Sequence, residues 1–288
     1  MAIDLHVHSN ASDGTISPEL LPELAAAAGL SAVALTDHDT VAGIAGFLSR
    51  QSDFPQLELI AGVELSSHIG ARELHIVGLF IDPDDAYLQD FMLQMRKERL
   101  IRAEAMQQKL YSLGYEVTWE DLQKAGMTGD APGRPHFAQV LVQKYDFPDN
   151  ATVFERLLKR GAPGYVARNL PEPAAAIGAI KRAGGTAVWA HAFHSRHNEN
   201  NFIRRILPDL KNAGLDALEA YYSEYNTTQT ANALRMAAEF SLCVSGGSDY
   251  HGAIHPDVHM GTGRGGMAVP DDILTGLRKA REPKVVLL

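Results

Sequence analysis

The sequence predicts an α/β fold interrupted by an all-helical stretch, and three observations carry that expectation. Short apolar runs rich in β-branched residues alternate with helix-patterned segments, which reads as repeated strand–helix units. From about Asp84 to Gly164 the pattern lacks convincing strands and reads as successive helices. His, Asp and Glu recur at the ends of the expected strands, the end at which parallel α/β folds place their chemistry. Alternation of this kind suggests a parallel barrel or an open parallel sheet.

Residues 3–7 open the chain as a strand. A helix follows over 18–28, with Pro18 near its start and Gly29 just past its end. Strands are expected at 32–36, 57–64 and 74–80. In the helical stretch, Leu88, Phe91, Met92, Met95, Met106, Leu110 and Leu113 supply apolar positions, while Arg96, Arg99 and Arg102, spaced by three, share a face that reads as solvated for most of them, with a substrate-facing role open for one or two. Gly133-Arg134-Pro135-His136 opens a further helix with Pro at its favoured first position. A helix over 172–183, closed by Gly184-Gly185, then returns the chain to strands at 186–190, 217–220 and 242–248. Residues 1–84 and 165–288 therefore read as one α/β domain, and 85–164 as a helical insertion into it.

The length of 288 residues suits one large domain or a domain carrying an insertion. No apolar run approaches the roughly 18 residues needed to cross a bilayer, and the N-terminal residues carry neither a basic region nor a cleavable apolar stretch. The single cysteine, Cys243, lies in an apolar run and reads as a buried small hydrophobe. These features predict a cytoplasmic protein with no membrane association, and nothing in them points to a stable protein partner. The formal charge of −9 argues against a nucleic-acid coat protein, which presents broad basic faces. It leaves an anionic substrate open, because three divalent cations would bring the total to −9 + 6 = −3, with the added charge at one site.

The chemistry-bearing residues begin with His6-x-His8. On a strand, alternation puts both imidazoles on one face, where they can share a metal, and Asp13 follows in the loop. A lone His-x-His is weak, but the arrangement recurs. Strand 32–36 runs into Asp37-His38-Asp39, strand 57–64 ends in Glu64, and His75 sits at the start of the next strand. His191 follows strand 186–190, and Asp249-x-His251 follows strand 242–248. Convergence of His, Asp and Glu on strand ends is what a polynuclear hydrolytic centre requires. Asp37 and Asp39 either accept a hydrogen bond from a ligand imidazole or stabilise the loop. Tyr221, Tyr222 and Tyr225, after the strand-end Glu219, either stack on a base or pack in the core. His68, His197, His255 and His259 have no strand-end placement and read as structural or exposed.

In order, His6-x-His8, Thr36-Asp37-His38-Asp39, Gly62-Val63-Glu64, His75, His191 and Ser248-Asp249-x-His251 closely resemble the polymerase-and-histidinol-phosphatase (PHP) superfamily, from residue 4 to about residue 251. The resemblance implies a distorted (β/α)7 barrel with a trinuclear metal centre. By position, it assigns His6, His8, Glu64 and Asp249 to one metal, Glu64, His75 and His191 to a second with Glu64 bridging, and Asp13, His38 and His251 to a third. It implies catalytic roles for Glu64, Asp249 and His191, and substrate contact by Arg134, His136 and Ser9. The segment Phe193-His194-Ser195-Arg196 departs from the expected pattern and is left unassigned.

The mixed imidazole and carboxylate set suits two to three divalent ions, Mn²⁺ first and Fe²⁺ or Zn²⁺ next, better than Mg²⁺ alone. Two metals about 3.5–4 Å apart acidify a water between them and neutralise phosphoryl oxygens, which fits phosphate-ester hydrolysis. Arg134-Pro135-His136 in an insertion resembles the branch of small bacterial enzymes that act on nucleoside 3′,5′-bisphosphates, with the insertion as a substrate-recognition lid. Arg suits that role because its guanidinium can fork onto a phosphate. The expected activity is removal of the 3′-phosphate. The alternatives are 5′→3′ exoribonuclease action on short 5′-phosphorylated RNA ends and histidinol-phosphate hydrolysis. A non-catalytic metal-binding module is disfavoured by the complete ligand set, and a bundle di-iron protein by the absence of Glu-x-x-His pairs at the ligands.

Overall fold

The computed structural model describes residues 2–70, 72–125, 132–194 and 199–281. In chain order the elements are β1 (Ala2–Val7), α1 (Leu21–Ala27, led in by a 3₁₀ turn at Pro18–Leu20), β2 (Leu30–Leu35), α2 (Ile44–Ser49), β3 (Glu58–Ile69) and β4 (Arg72–Leu79). Then come α3 (Ala86–Ser112), α4 (Trp119–Lys124), α5 (Arg134–Lys144), α6 (Asn150–Val153), α7 (Pro173–Arg182), β5 (Thr186–Trp189), α8 (Glu199–Asn212), β6 (Ala217–Tyr222), α9 (Thr227–Glu239), β7 (Cys243–Gly247), β8 (Val269–Pro270) and α10 (Ile273–Ala280). The chain divides into two compact units, one built from the residues up to Phe91 and from Pro171 onward, the other from Met92–Leu170.

In the first unit the strands lie in the order β7-β6-β5-β4-β3-β2-β1-β8. The sheet curls until β7 meets β1: Val7 bridges Tyr250 in parallel, Asp249 N–H donates to the His6 carbonyl at 2.8 Å, and His8 N–H donates to the Tyr250 carbonyl at 2.9 Å. The result is a nearly closed barrel of β1 to β7, with the two-residue β8 paired antiparallel to β1. On β2, Ala32 and Ala34 join one apolar cluster with Ile3, Leu5, Ile60 and Val188. Val33 and Leu35, on the alternate face, join Leu21 and Ala25 of α1 and Ile44 and Phe47 of α2 in another.

The distortion lies at β4. It runs antiparallel to both β3 and β5, while β1/β2, β2/β3, β5/β6 and β6/β7 are parallel. No helix separates β3 from β4, because β3 continues to Ile69, beyond the expected end at Glu64, and turns back as a hairpin. Reversal has a consequence for the chemistry. An antiparallel strand delivers its first residues to the barrel end where the parallel strands deliver their last, so His75 reaches that end from early in β4, facing Ser66 in the register. Strand direction cannot be read from alternation, which is the same in both senses.

The second unit is helical, from the greater part of α3 through α6 and a π-helical turn at Phe154–Leu158, around its own core that includes Met106, Leu110, Phe137 and Leu141. Leu113, the last apolar position of the pattern, is 41% exposed beyond the last turn of α3. One expectation is corrected here. Arg102, expected on a solvated face with Arg96 and Arg99, is buried and its Nε donates to the Val166 carbonyl at 2.8 Å. A buried guanidinium needs such a partner to offset its desolvation.

Gly247, the last residue of β7, is where backbone closure and the histidine-bearing strand compete for space. A Cβ there would lie 2.3 Å from the Cβ of His6 and 2.4 Å from its backbone nitrogen. Gly247→Ala should therefore displace β1 at His6, costing about 1–3 kcal/mol. Thermal denaturation should show a Tm several degrees lower than wild type, and an unchanged Tm would mean that the β1–β7 seam is not closed as described.

Candidate metal centre

The barrel closure gathers all nine expected ligands in the first unit. Their geometry is organised by Glu64, whose carboxylate is fully buried. Its Oε2 lies 3.3 Å from His6 Nε2, 3.3 Å from His8 Nε2 and 3.0 Å from His38 Nδ1. Its Oε1 lies 2.9 Å from His75 Nδ1 and 3.0 Å from His191 Nε2. Asp249 Oδ1 is 3.1 Å from His8 Nε2 and 3.5 Å from His6 Nε2. At the outer edge, the exposed Asp13 carboxylate stands 3.3 Å from His251 Nε2 and 3.8 Å from His38 Nε2.

Among the described residues, three groups of donor atoms are close enough to hold an ion: His6, His8, Glu64 and Asp249; His8, Asp13, His38 and His251; and His38, Glu64 and His75. The first matches the set assigned by the resemblance. The others overlap the assigned sets and add a second connection for His8 and His38, since each turns one ring nitrogen toward Glu64 and the other toward Asp13. His191 reaches the cluster through Glu64 Oε1, the oxygen that it shares with His75.

Do these residues fit divalent ions? Two ligands each about 2.1 Å from one ion, at tetrahedral or octahedral angles, stand roughly 3.0–3.4 Å apart. Most of the nitrogen–oxygen separations around Glu64 fall in or next to that range. His6 Nε2, both ring nitrogens of His8, His38 Nδ1 and Glu64 Oε2 are buried without a hydrogen-bond partner among the described residues. Buried polar atoms are seldom left so, and the convergence of His6 Nε2, His8 Nε2 and His38 Nδ1 on Glu64 Oε2 is the arrangement that divalent cations between them would satisfy.

The electrostatics agree. Burial alone would raise the Glu64 pKa, yet the surrounding imidazoles, His38 foremost, hold it well below the usual carboxylate range. Asp249 is held low in the same way against its burial, by His6 and His8. Burial pushes His75 down, but the adjacent Glu64 carboxylate outweighs it and lifts the ring to about 10. His6 is likewise raised despite burial, by Glu219 first and then Glu64 and Asp249.

Residues to which the sequence reading gave no role at the centre set the orientation of the ligands. Glu219 is buried on β6; its Oε1 accepts from His6 Nδ1 at 2.9 Å and its Oε2 from the His191 backbone N–H at 2.7 Å. With Nδ1–H so engaged, the neutral His6 ring turns the lone pair of Nε2 toward Glu64 and Asp249. His251 is set in the same sense, its Nδ1 donating to the Asp249 carbonyl at 2.8 Å. The Tyr222 hydroxyl donates to Asp249 Oδ2 at 3.0 Å, so this tyrosine braces a ligand. A register shift in β6 between Glu219 and Tyr221 re-aims these side chains. Three residues at the site adopt left-handed backbone without being glycine: Asp39 (φ 53°), His191 (φ 35°) and Asp249 (φ 56°). Such backbone costs on the order of 1–3 kcal/mol per residue and persists where surrounding contacts over-determine it.

Asp37 resolves to loop support: it accepts from Ser9 N–H at 2.7 Å and from the Ser9 and Ser12 hydroxyls at 2.6 Å each. Asp39 accepts from Ser66 N–H at 2.9 Å. Ser9, expected to touch substrate, is fully buried with its hydroxyl committed to Asp37, so it braces the loop that carries Asp13. In the second unit, Arg134 is the first residue of α5; its guanidinium donates to the Leu158 carbonyl at 3.5 Å and lies near the rings of Phe154 and Tyr165. His136 Nδ1 accepts from Gly133 N–H at 3.1 Å, closing the start of that helix. Ser195, Arg196 and His197 lie outside the described residues.

The PHP domain family model matches residues 4–160, more than half of the chain. The chain belongs to the PHP family. A 5′-3′ exoribonuclease from Haemophilus influenzae is 35% identical over 86% of this chain and 89% of its own length. A 3′,5′-nucleoside bisphosphate phosphatase from Chromobacterium violaceum is 33% identical over 86% and 87%. Among solved structures, a candidate metal-dependent phosphoesterase from Bifidobacterium adolescentis superposes with a TM-score of 0.83 at 29% identity, covering 98% of this chain and 97% of the other.

Two outcomes follow for this PHP site. Because His6, His8, His38 and His75 are held above the ordinary imidazole range by the neighbouring carboxylates, against their burial, a divalent ion must displace protons to bind. Metal affinity should therefore rise with pH between about 6.5 and 10, with more than one proton released per chain near neutrality. Calorimetric titrations in buffers of different ionisation enthalpy measure this, and a pH-independent affinity would contradict it. Glu219→Gln should weaken metal binding about 10–100-fold while the far-UV spectrum stays unchanged, since it acts by orienting His6. Wild-type affinity in that variant would remove Glu219 from the site.

Proposed function

We propose that this PHP protein is a phosphoesterase that removes the 3′-phosphate from nucleoside 3′,5′-bisphosphates, using two to three divalent ions, manganese first and Fe²⁺ or Zn²⁺ next. The observation that carries the reading is the convergence of five imidazoles on the buried carboxylate of Glu64. His6, His8, Glu64 and Asp249 would hold one ion, Glu64, His75 and His191 a second, and Asp13, His38 and His251 a third. When bound, such ions supply charge neutralisation at the phosphoryl oxygens and acidification of water, the two things phosphate-ester hydrolysis lacks in solution.

The protein's own part is orientation. Glu219 holds His6 and the His191 backbone, Tyr222 holds Asp249, and the Asp37 and Asp39 loops hold the chain around His38. These groups are fixed before substrate arrives, so little reorganisation opposes the reaction. Arg134 and His136, at the start of α5 in a proposed substrate-recognition insertion (residues 85–164), are the candidates for the second phosphate. A cytoplasmic setting belongs to the same reading, resting on a single cysteine and a nucleotide substrate. A second reading, exoribonuclease action on short 5′-phosphorylated RNA, is favoured by the name of the Haemophilus influenzae relative, whose identity to this chain is similar to that of the phosphatase.

Steady-state rates on bisphosphates, 3′-monophosphates and short 5′-phosphorylated RNAs distinguish the readings. The bisphosphate should be turned over fastest, with activity abolished by a chelator. A higher kcat/KM on RNA would favour the second reading, and no turnover of any phosphate ester would sink both. Glu64→Ala and Asp249→Ala should each lower kcat by several orders of magnitude with the fold retained, and wild-type turnover in either would refute the ligand assignment. Arg134→Ala should lower kcat/KM for bisphosphates by a factor on the order of 10²; equal activity to wild type would exclude Arg134 from substrate recognition.

A further inference from the structure

His191 to Phe193 form a turn beyond the end of β5, so their backbone polar groups need partners other than a neighbouring strand. Those partners come from β6 and the start of α9. Besides Glu219, which takes the His191 N–H, the Tyr225 hydroxyl accepts from Phe193 N–H at 2.7 Å. Gln229 Nε2 donates to the Phe193 carbonyl, also at 2.7 Å. Phe193 is buried, and its ring meets that of Tyr225 edge-on with centroids 6.1 Å apart.

The residue types are those that bonding requires and packing alone does not. Gln229 closes the capping box of α9: its Oε1 accepts from Asn226 N–H at 2.9 Å, and Asn226 Oδ1 accepts from Gln229 N–H at 3.0 Å. Glutamate would cap the helix as well, but only the amide also offers an N–H to Phe193. A phenylalanine would likewise fill the place of Tyr225 against Phe193 and Tyr222, and could not accept the N–H. His191 holds left-handed backbone, φ 35°, which a residue with a side chain keeps only where surrounding contacts over-determine it. Two of those contacts are the bonds to Phe193.

One short turn serves both sides of the centre. Tyr225 N–H donates to the Tyr222 carbonyl at 3.0 Å, so the two tyrosines are the ends of a four-residue turn. The Tyr222 hydroxyl reaches Asp249, and the Tyr225 hydroxyl reaches the His191 turn. We propose that this turn between β6 and α9 is a spacer that sets the separation of the ions held on its two sides, with Tyr225 and Gln229 as the positioning residues for His191. Neither side chain is a ligand. Both act through the Phe193 backbone on the imidazole whose Nε2 stands 3.0 Å from Glu64 Oε1. The inference rests on the metal-ligand reading above and adds to it the residues that fix one of the ligands.

The test loads the full-length protein with manganese alone and uses variants that keep the packing. Tyr225→Phe removes only the hydroxyl, and Gln229→Glu keeps the cap of α9 while withdrawing the N–H from Phe193. In each, titration calorimetry should show one class of ion bound about tenfold more weakly and another within about twofold of wild type. The Tm of the metal-free protein should stay within a few degrees of wild type. Anomalous difference maps at limiting manganese should lose the peak beside His75 and His191 and keep the peak beside His6, His8 and Asp249. Tyr222→Phe, at the other end of the turn, should weaken the peak beside Asp249 instead. Equal weakening of both classes in Tyr225→Phe, or wild-type affinities in both variants, would overturn the inference. A wild type that binds fewer than two manganese ions would overturn the metal-centre reading itself, and the spacer with it.

Discussion

Taking a carboxylate out of water costs several kcal/mol unless charge and hydrogen bonds replace the solvent. Glu64 is wholly buried, and what replaces the solvent is a shell of His6, His8, His38, His75 and His191. Those histidines come from β1 and the loop after it, the loop after β2, β4, and the loop after β5, so the carboxylate can be compensated only when the strands are assembled in one order. Barrel closure at Asp249 and His6 completes the shell. Fold and site are thus coupled through one ionisable group, and divalent ions between its partners would turn an electrostatic cost into a binding site.

Much of this was legible in the sequence. His6-x-His8 on a strand end, Asp37-His38-Asp39 after β2, and Asp249-x-His251 after β7 are local patterns whose geometry follows from alternation and from where parallel strands end. Belonging to the PHP family accounts for their order. The helical stretch was visible as missing strand periodicity. What stayed hidden depended on long-range pairing. The reversal of β4 carries no periodic signal, yet it brings His75 to Glu64. Glu219 was visible as a strand-end acid, but its two bonds, to His6 and to the His191 backbone, arise from elements 213 and 28 residues away. Arg102 looked like part of a solvated stripe because helical spacing says which residues share a face and not what covers it.

The supporting residues show how such a site tolerates strain. His191 and Asp249 carry left-handed backbone, and each is pinned by specific bonds: His191 N–H to Glu219, Asp249 N–H to the His6 carbonyl, Asp249 Oδ2 to Tyr222. Ser9 and Ser12 on Asp37 restrain the loop carrying Asp13, the most exposed of the ligands. An inner carboxylate locked by burial and an outer one left at the surface make a centre that is rigid at its base and accessible at its rim. That asymmetry suits a phosphoesterase, whose outer edge must admit a phosphate ester.

If Glu64 is a ligand shared between ions, crystals grown with manganese will reveal it in anomalous difference maps recorded at an energy where Mn²⁺ scatters strongly. At least two peaks should lie within bonding distance of the Glu64 carboxylate, one beside His6, His8 and Asp249 and one beside His75. A single peak, or peaks that leave Glu64 without a metal neighbour, would contradict it.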